Sequence, residues 1–240
     1  MKRLCSICVR GGSKGLKNKN MRELGGLPLF AHSIKQAQQS KLFDCIVVSS
    51  DSEAILRAAT VYGADYAIIR PENLATDNAP KLPAIQHALL ASEKLANARF
   101  DVVVDLDATS PLRVPLDIEN MVQILEEENV SNVISGCPAR RSPYFNLVEL
   151  GEDGFVRLSK PLKNSVTRRQ DSPKCYDMNA SIYVWQREAL LKNDSIFNRD
   201  TRLYVMPEER SMDIDSALDF EFVEFLYKRD NSAEIKNGDV

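Results

Sequence analysis

Leu4-Cys5-Ser6-Ile7-Cys8-Val9 runs directly into Arg10-Gly11-Gly12-Ser13-Lys14-Gly15-Leu16-Lys17-Asn18-Lys19-Asn20, an apolar stretch followed by a loop of small residues and cations. The apolar stretch reads as a buried strand. Glycines at 11, 12 and 15 let the backbone take positive φ and approach a ligand closely, so that successive N–H groups can point at phosphate oxygens. Arg10, Lys14, Lys17 and Lys19 add charge. At the carboxyl end of a first parallel strand, such a loop sits where open α/β sheets bind ligands. Neither of two familiar phosphate cradles fits. The P-loop places glycine directly before its lysine, where Ser13 stands, and Gly11, Gly12 and Gly15 are not at G-x-G-x-x-G spacing. A solvated basic turn is the competing reading of the same residues.

The rest of the chain bounds what that loop serves. Its 240 residues, 44% hydrophobic and 27% charged, can bury one large core, so a single domain over residues 1–240 with a modest excursion is expected. A net charge of −3 argues against a general nucleic-acid surface, which leaves a small anion as the partner of the local cations. No apolar run approaches the ~18–20 residues of a membrane span. The run after Met1-Lys2-Arg3 is too short for the apolar core of a signal peptide, so a cytoplasmic location is expected. Five scattered cysteines make a poor disulfide framework. Cys5 and Cys8, within one strand, project to opposite faces, unlike a zinc pair.

Past the loop, Gly25-Gly26-Leu27-Pro28 reads as a turn, with Pro28 suited to a first helical position. Apolar residues then recur at helical spacing through Leu29, Phe30, Ile34 and Ala37. A β-branched run at 45–48 leads through Asp51, expected to cap the following helix, to Ile55, Leu56, Ala59 and Tyr62 on one face. The βαβ rhythm continues. Strands are expected at Tyr66–Ile69, 100–106, 133–137 and, at an edge, 203–206, with helices at Lys81–Ala96, 116–128 and 216–228 and a frayed tail from Asp230. Residues 138–174, rich in proline and turn residues, form an excursion from the sheet. In an extended segment Asp213 and Asp215 project to the same side and could hold a magnesium ion, which takes few protein ligands plus phosphates and waters. The competing reading makes Asp215 the cap of the last helix.

The order Arg10, Gly12, Ser13, Lys14, Lys19, Asn20 resembles the signature of the CMP-sialic acid synthetase family, cytidylyltransferases that activate nine-carbon acidic sugars; Val9 stands where that family usually has Ala. Arg70-Pro71 with Leu74-Ala75 and Asp77, then Thr109-Ser110-Pro111-Leu112-Arg113, then Arg169-Gln170 with Pro173, Tyr176 and Asn179 to Tyr183, and finally Asp213-Ile214-Asp215 with Asp219, resemble four further motifs. The resemblance implies a three-layer, mostly parallel Rossmann-like nucleotidyltransferase sheet in the α/β class. It also implies a homodimer formed through the excursion at about 138–174. Arg10, Gly11, Gly12, Ser13, Lys14, Lys19, Asn20 and Arg70 would bind the nucleotide. Asp107, Thr109, Ser110, Arg169, Gln170, Asn179 and Tyr183 would bind the sugar, with Arg169 forking its carboxylate. Asp213 and Asp215 would hold Mg2+, and Arg10, Lys19 and Asp215 would carry the chemistry.

In that reaction the sugar's anomeric hydroxyl attacks the α-phosphate of CTP and pyrophosphate leaves. Arg10 and Lys19 face the α-phosphate, while Ser13 and Lys14 face the outer phosphates. Departures from the family pattern bear on the sugar. Asp107-Ala108 replaces the Gln-Pro common in sialic acid enzymes, and a carboxylate only accepts hydrogen bonds where an amide also donates. An acid there resembles the branch acting on legionaminic acid. Phe145 falls where some sialic acid enzymes carry lysine, and Ala180-Ser181 replaces Gly-Ala. Sialic acid, pseudaminic acid and KDO are the alternative substrates, and a nucleotide-sugar binding subunit without turnover is the alternative class. Cytosine preference rests on the resemblance alone.

Overall fold

The computed structural model describes residues 1–12, 15–164 and 167–237. In chain order the elements are β1 (Arg3–Cys8), β2 (Glu23–Leu24), β3 (Leu27–Pro28), α1 (Leu29–Ser40), β4 (Cys45–Ser50), α2 (Glu53–Val61), β5 (Tyr66–Ile69), α3 (Lys81–Ala96), β6 (Val102–Leu106), α4 (Pro115–Glu128), β7 (Asn132–Pro138), β8 (Val148–Leu150), β9 (Val156–Leu158), β10 (Tyr176–Gln186), α5 (Arg187–Lys192), β11 (Arg202–Val205) and α6 (Ala217–Asn237). Seven strands form one sheet in the order β11-β7-β10-β6-β1-β4-β5. β1, β4, β5 and β6 are mutually parallel, and β11 is parallel to β7, whereas β10 runs antiparallel to both β6 and β7.

Alternation along the strands builds a layer on each side. Cys5 and Ile7 face α1, α2 and α4 through Phe30, Ile34, Ile55 and Ile118, and Leu4 faces α3 and α5 through Leu82, Ile85, Leu89 and Leu190. Cys5 and Cys8 fall in opposite layers, as their spacing requires. A third cluster joins Leu16, Leu24, Leu29, Ile214, Phe220 and Val223, so α6 packs over the β2–β3 ribbon. The contact is close enough that a Cβ on Gly25 would lie 2.2 Å from the Tyr227 ring. Gly25 and Gly26, at φ +56° and +82°, supply the two left-handed positions that a two-residue ribbon turn needs.

Two helix caps differ from expectation. Ser52, not Asp51, caps α2, its Oγ accepting from the Ile55 amide, and Asp51 instead accepts from the Gly11 amide at 2.8 Å. At α6 the cap is a reciprocal pair, with Ser216 N–H donating to Asp219 Oδ2 at 2.7 Å and Asp219 N–H to Ser216 Oγ at 3.2 Å. Asp215 is thereby released from capping duty. The helix also runs on to Asn237 where a frayed tail was expected.

β10 was not anticipated as a strand because its alternation changes phase midway. The register shifts between Met178 and Tyr183, and Ala180 sits at φ +50° within that bulge. The bulge is tied down from several sides. Arg113, 2% exposed, donates to the carbonyls of Asp107 and Ser181 and to Ser33 Oγ, joining β6, β10 and α1. Burial alone draws the Arg113 guanidinium down to about 10. Beyond β7, β8 and β9 form a two-stranded hairpin that stands apart from the main sheet.

Candidate active site

A cavity of about 460 Å³ opens at the carboxyl ends of β1 and β6, walled by the loop after β1, the start of α3 and residues 213–215. It gathers Arg10, Gly12, Lys19, Asn20, Arg70, Asp107, Thr109, Asp213 and Asp215 from the residues the sequence singled out. The first loop and the distant acidic segment touch. Lys19 Nζ donates to the Ile214 carbonyl and lies 3.2 Å from Asp215 Oδ1, and a Cβ built on Gly15 would lie 2.1 Å from the Asp215 carbonyl oxygen. Gly15 is thus required by close approach of backbone to backbone.

The cations are anchored to backbone carbonyls, and two of them are also paired with a carboxylate, Arg10 with Asp77 and Lys19 with Asp215. Arg10 Nη1 donates to the Thr76 carbonyl at 2.8 Å and to Asp77 at 3.1 Å, and Asn20 Nδ2 holds the Arg10 carbonyl at 2.9 Å. Arg70, buried, donates to the Ser49 carbonyl at 2.8 Å and has no carboxylate on it in that contact. These backbone anchors fix the direction of each guanidinium.

The acids form the opposite wall. Asp213 Oδ1 is buried without a hydrogen-bond partner among the described residues. Burial pushes the Asp213 carboxyl up from its ordinary value, and Asp107 and Asp215 push the same way. An unmet buried acceptor beside a second carboxylate, itself 81% exposed, is a donor set that suits a hard cation. No cluster of three or more His, Cys, Asp or Glu that could hold a metal exists among the described residues, so such an ion would take most of its ligands from phosphate and water. Thr109 fixes the segment: its carbonyl accepts from the Ile214 amide at 3.0 Å.

Lys81 is the site residue that sequence reasoning missed. Its ammonium is 2.6 Å from Asp107 Oδ2 and 2.9 Å from Asp105 Oδ2, and it lies 4.7 Å from the centre of the Tyr183 ring. Burial disfavours its charge, but Asp105 and Asp107 overrule that and the ammonium is held well above its ordinary value. Asp107, opposed by burial but paired with Lys81, is held down to about 2. The signal in the sequence was position: a lysine opening a helix works against the helix dipole and needs a local anion to be there.

Several expected contacts are placed elsewhere. The Gly11 amide is occupied by Asp51 and Gly11 does not line the cavity, so it shapes the loop and does not cradle phosphate. Ser110 and Asn179 are interior: Ser110 Oγ donates to the Asn179 carbonyl, and the Asn179 side chain accepts from Ser135 at 2.6 Å and donates to Ser211 at 2.9 Å. Tyr183 is 5% exposed and stacks on Trp185, with Lys81 covering it from the cavity side. These three residues brace the wall. Arg169 and Gln170 line a different cavity of about 510 Å³ in the excursion, where Arg169 donates to the Ala139 carbonyl. A further cavity, of about 270 Å³, has Asp213 in common with the first and Pro138 in common with the second. Ser13 and Lys14 lie outside the described residues.

Comparison with known proteins gives concordant findings. A family model described as cytidylyltransferase matches residues 5–231. The chain is 50% identical over 228 residues to a CMP-N,N'-diacetyllegionaminic acid synthase of Campylobacter jejuni subsp. jejuni, covering 95% of this chain and 96% of that protein. It is 49% identical, over the same shares, to a post-translational flagellin modification protein B of Campylobacter coli. Among solved structures, a CMP:2-keto-3-deoxy-manno-octonic acid synthetase complexed with CTP superposes with a TM-score of 0.68 over 96% of this chain and 100% of that one; at 16% identity that likeness is one of fold.

Proposed function

Because the chain belongs to the cytidylyltransferase family, we propose that it joins CMP from CTP to the anomeric hydroxyl of a nine-carbon acidic sugar, legionaminic acid in the first place, with release of pyrophosphate. The chain is a nucleotidyltransferase, and the fold it uses is a mostly parallel three-layer α/β sheet. The observation that carries the reading is the Lys19 contact with Ile214 and Asp215, which joins the glycine-rich loop to the acidic segment in one cavity. The choice of sugar is supported by 50% identity to the legionaminic acid enzyme and by Asp107.

In this reading Arg10, Arg70 and the loop amides orient the triphosphate, while Lys19 stabilises charge that develops at the α-phosphate. Asp213 and Asp215 would hold Mg2+, which when bound supplies charge neutralisation to the phosphates. Transfer of this kind asks the protein mainly for positioning and electrostatic stabilisation, and the backbone-anchored cations of the cavity provide both. Among the described residues no side chain of the site is set up as a strong base. Lys81 is excluded from that part because its carboxylate partners keep it protonated. Arg169 serves the sugar carboxylate from the neighbouring cavity of the excursion.

The chain acts as a homodimer, in the cytoplasm where CTP is found. Among the described residues no helix is long and apolar enough to cross a membrane. The β8–β9 hairpin exposes Leu150 at 74%, Phe155 at 68% and Val156 at 61%. Two strands alone are marginal in water, and an apolar patch of this kind calls for cover, which a second copy provides. Pyrophosphate release from CTP and magnesium, measured with legionaminic, pseudaminic and sialic acids and KDO, tests the function. Turnover favouring legionaminic acid is expected, and silence with every acid would mean a binding subunit.

A further inference from the structure

We propose that Lys81 is a sugar-contacting specificity residue, donating a hydrogen bond to a neutral polar substituent of the sugar, an acylamino or hydroxyl group, beside the remaining lone pair of Asp107. The inference rests on the cytidylyltransferase reading and deepens it. Asp107 itself is nearly saturated. Its Oδ1 accepts from both the amide and the hydroxyl of Thr109, at 3.2 and 2.9 Å, and its Oδ2 accepts from Lys81 at 2.6 Å. A carboxylate oxygen accepts about two hydrogen bonds, so Oδ2 alone keeps a free acceptor position.

Lys81 supplies the complementary donor. An ammonium has three N–H bonds. One is given to Asp107, and Asp105 lies against the ammonium as an ion-pair partner outside hydrogen-bond geometry. The Lys81 side chain stays 32% exposed in the cavity wall, so a donor remains for a ligand. Its surroundings are those of the sugar set: Asp107 and Tyr183 touch it, and Thr109 hangs on Asp107. The nucleotide cations Arg10, Lys19 and Arg70 are anchored to other elements, at Thr76, Ile214 and Ser49.

Charge decides which substituent fits. Lys81 is already ion-paired with both Asp105 and Asp107, so it is not the free cation that the sugar's acid function would need. A donor next to an acceptor on rigid elements instead matches the N–H and C=O of an acylamino group, or a hydroxyl that can both donate and accept.

Lys81→Met tests this, together with Lys81→Met/Asp105→Asn, which removes the buried acid along with its counter-ion and guards against loss of folding. Steady-state kinetics with CTP and the best sugar acid, and calorimetric binding of CTP alone, are the readouts. The expected result is a KM for the sugar raised tenfold or more in both variants, with CTP affinity within twofold of the parent. Lys81→Gln, which keeps a donor, should recover part of the loss. Comparing an acylamino sugar acid with its hydroxyl counterpart identifies the substituent, as the variants lose the preference the parent shows. An unchanged sugar KM, or equal losses for CTP and sugar, overturns the proposal. If the parent turns over no acid sugar, the functional reading fails instead, and that outcome is separate because it needs no variant.

Discussion

Replacing Asp213 by Asn should move stability and activity in opposite directions. The buried Oδ1 of Asp213 has no partner among the described residues, and burial raises its carboxyl above the ordinary aspartate value. Leaving a buried polar group unsatisfied costs about 1–3 kcal/mol, and more when it is charged. The sign follows from the raised value: above it the folded state holds a charge the unfolded chain would carry more cheaply, and the cost fades as pH falls through it. The neutral amide removes the charge at pH 7 but still buries an unpartnered polar atom, so only the excess cost of the charge is recovered. Recovery of about 1 kcal/mol corresponds to about 2–4 °C in Tm for a domain of this size. Differential scanning fluorimetry in EDTA should therefore place Asp213→Asn above the parent, with the gap closing toward acid pH. Added magnesium and CTP should then raise the parent's Tm but not the variant's, and turnover should fall on the order of 10²–10³-fold, the cost of losing one charge-stabilising group. A variant that melts below the parent without metal, or that keeps its turnover, refutes the reasoning.

Gly15→Ala places a methyl 2.1 Å from the Asp215 carbonyl, so the loop and the acidic segment must part. A displacement near 1 Å in such a site costs on the order of 10²-fold in kcat/KM, to be read in a pyrophosphate-release assay alongside an unchanged circular dichroism spectrum. Ala180, at φ +50°, tolerates glycine but not a β-branched residue. Ala180→Val should lose about 1–3 kcal/mol in urea unfolding, whereas Ala180→Gly should stay within about 1 kcal/mol of the parent. Leu150→Glu with Val156→Glu, on the exposed hairpin, should convert the proposed dimer into a monomer by light scattering; a dimer that survives both charges removes the hairpin from the interface.

What could be read in the chain depended on whether a signal was local. β1, β4, β5 and β6 and the helices after them were legible because hydrophobic period and β-branched runs are short-range properties, and Lys81–Ala96 coincides with its expected bounds. The union of Lys19 with Asp215 followed from recognising separated motifs, and the cavity contains both. β10 was hidden by its bulge, which breaks the alternation that marks a strand. Lys81 was hidden because its partners, Asp105 and Asp107, lie on a strand that only folding brings beside α3. Ser110 and Asn179 illustrate the converse: polar residues in a motif can be there to satisfy buried backbone, as the bulge of β10 demands.

The packing of α6 over the β2–β3 ribbon has a consequence for how the protein is made. During synthesis the amino-terminal strands leave the ribosome first and can pair early, but the floor of the nucleotide cavity arrives only with Ile214 and Asp215, and its clamp only with Tyr227. A nascent chain halted before residue 213 would own every strand of the sheet and still have nothing to close against Gly15 and Lys19. Competence to grip a nucleotide is therefore acquired only once residues 213–215 and α6 have docked on the first loop and the ribbon.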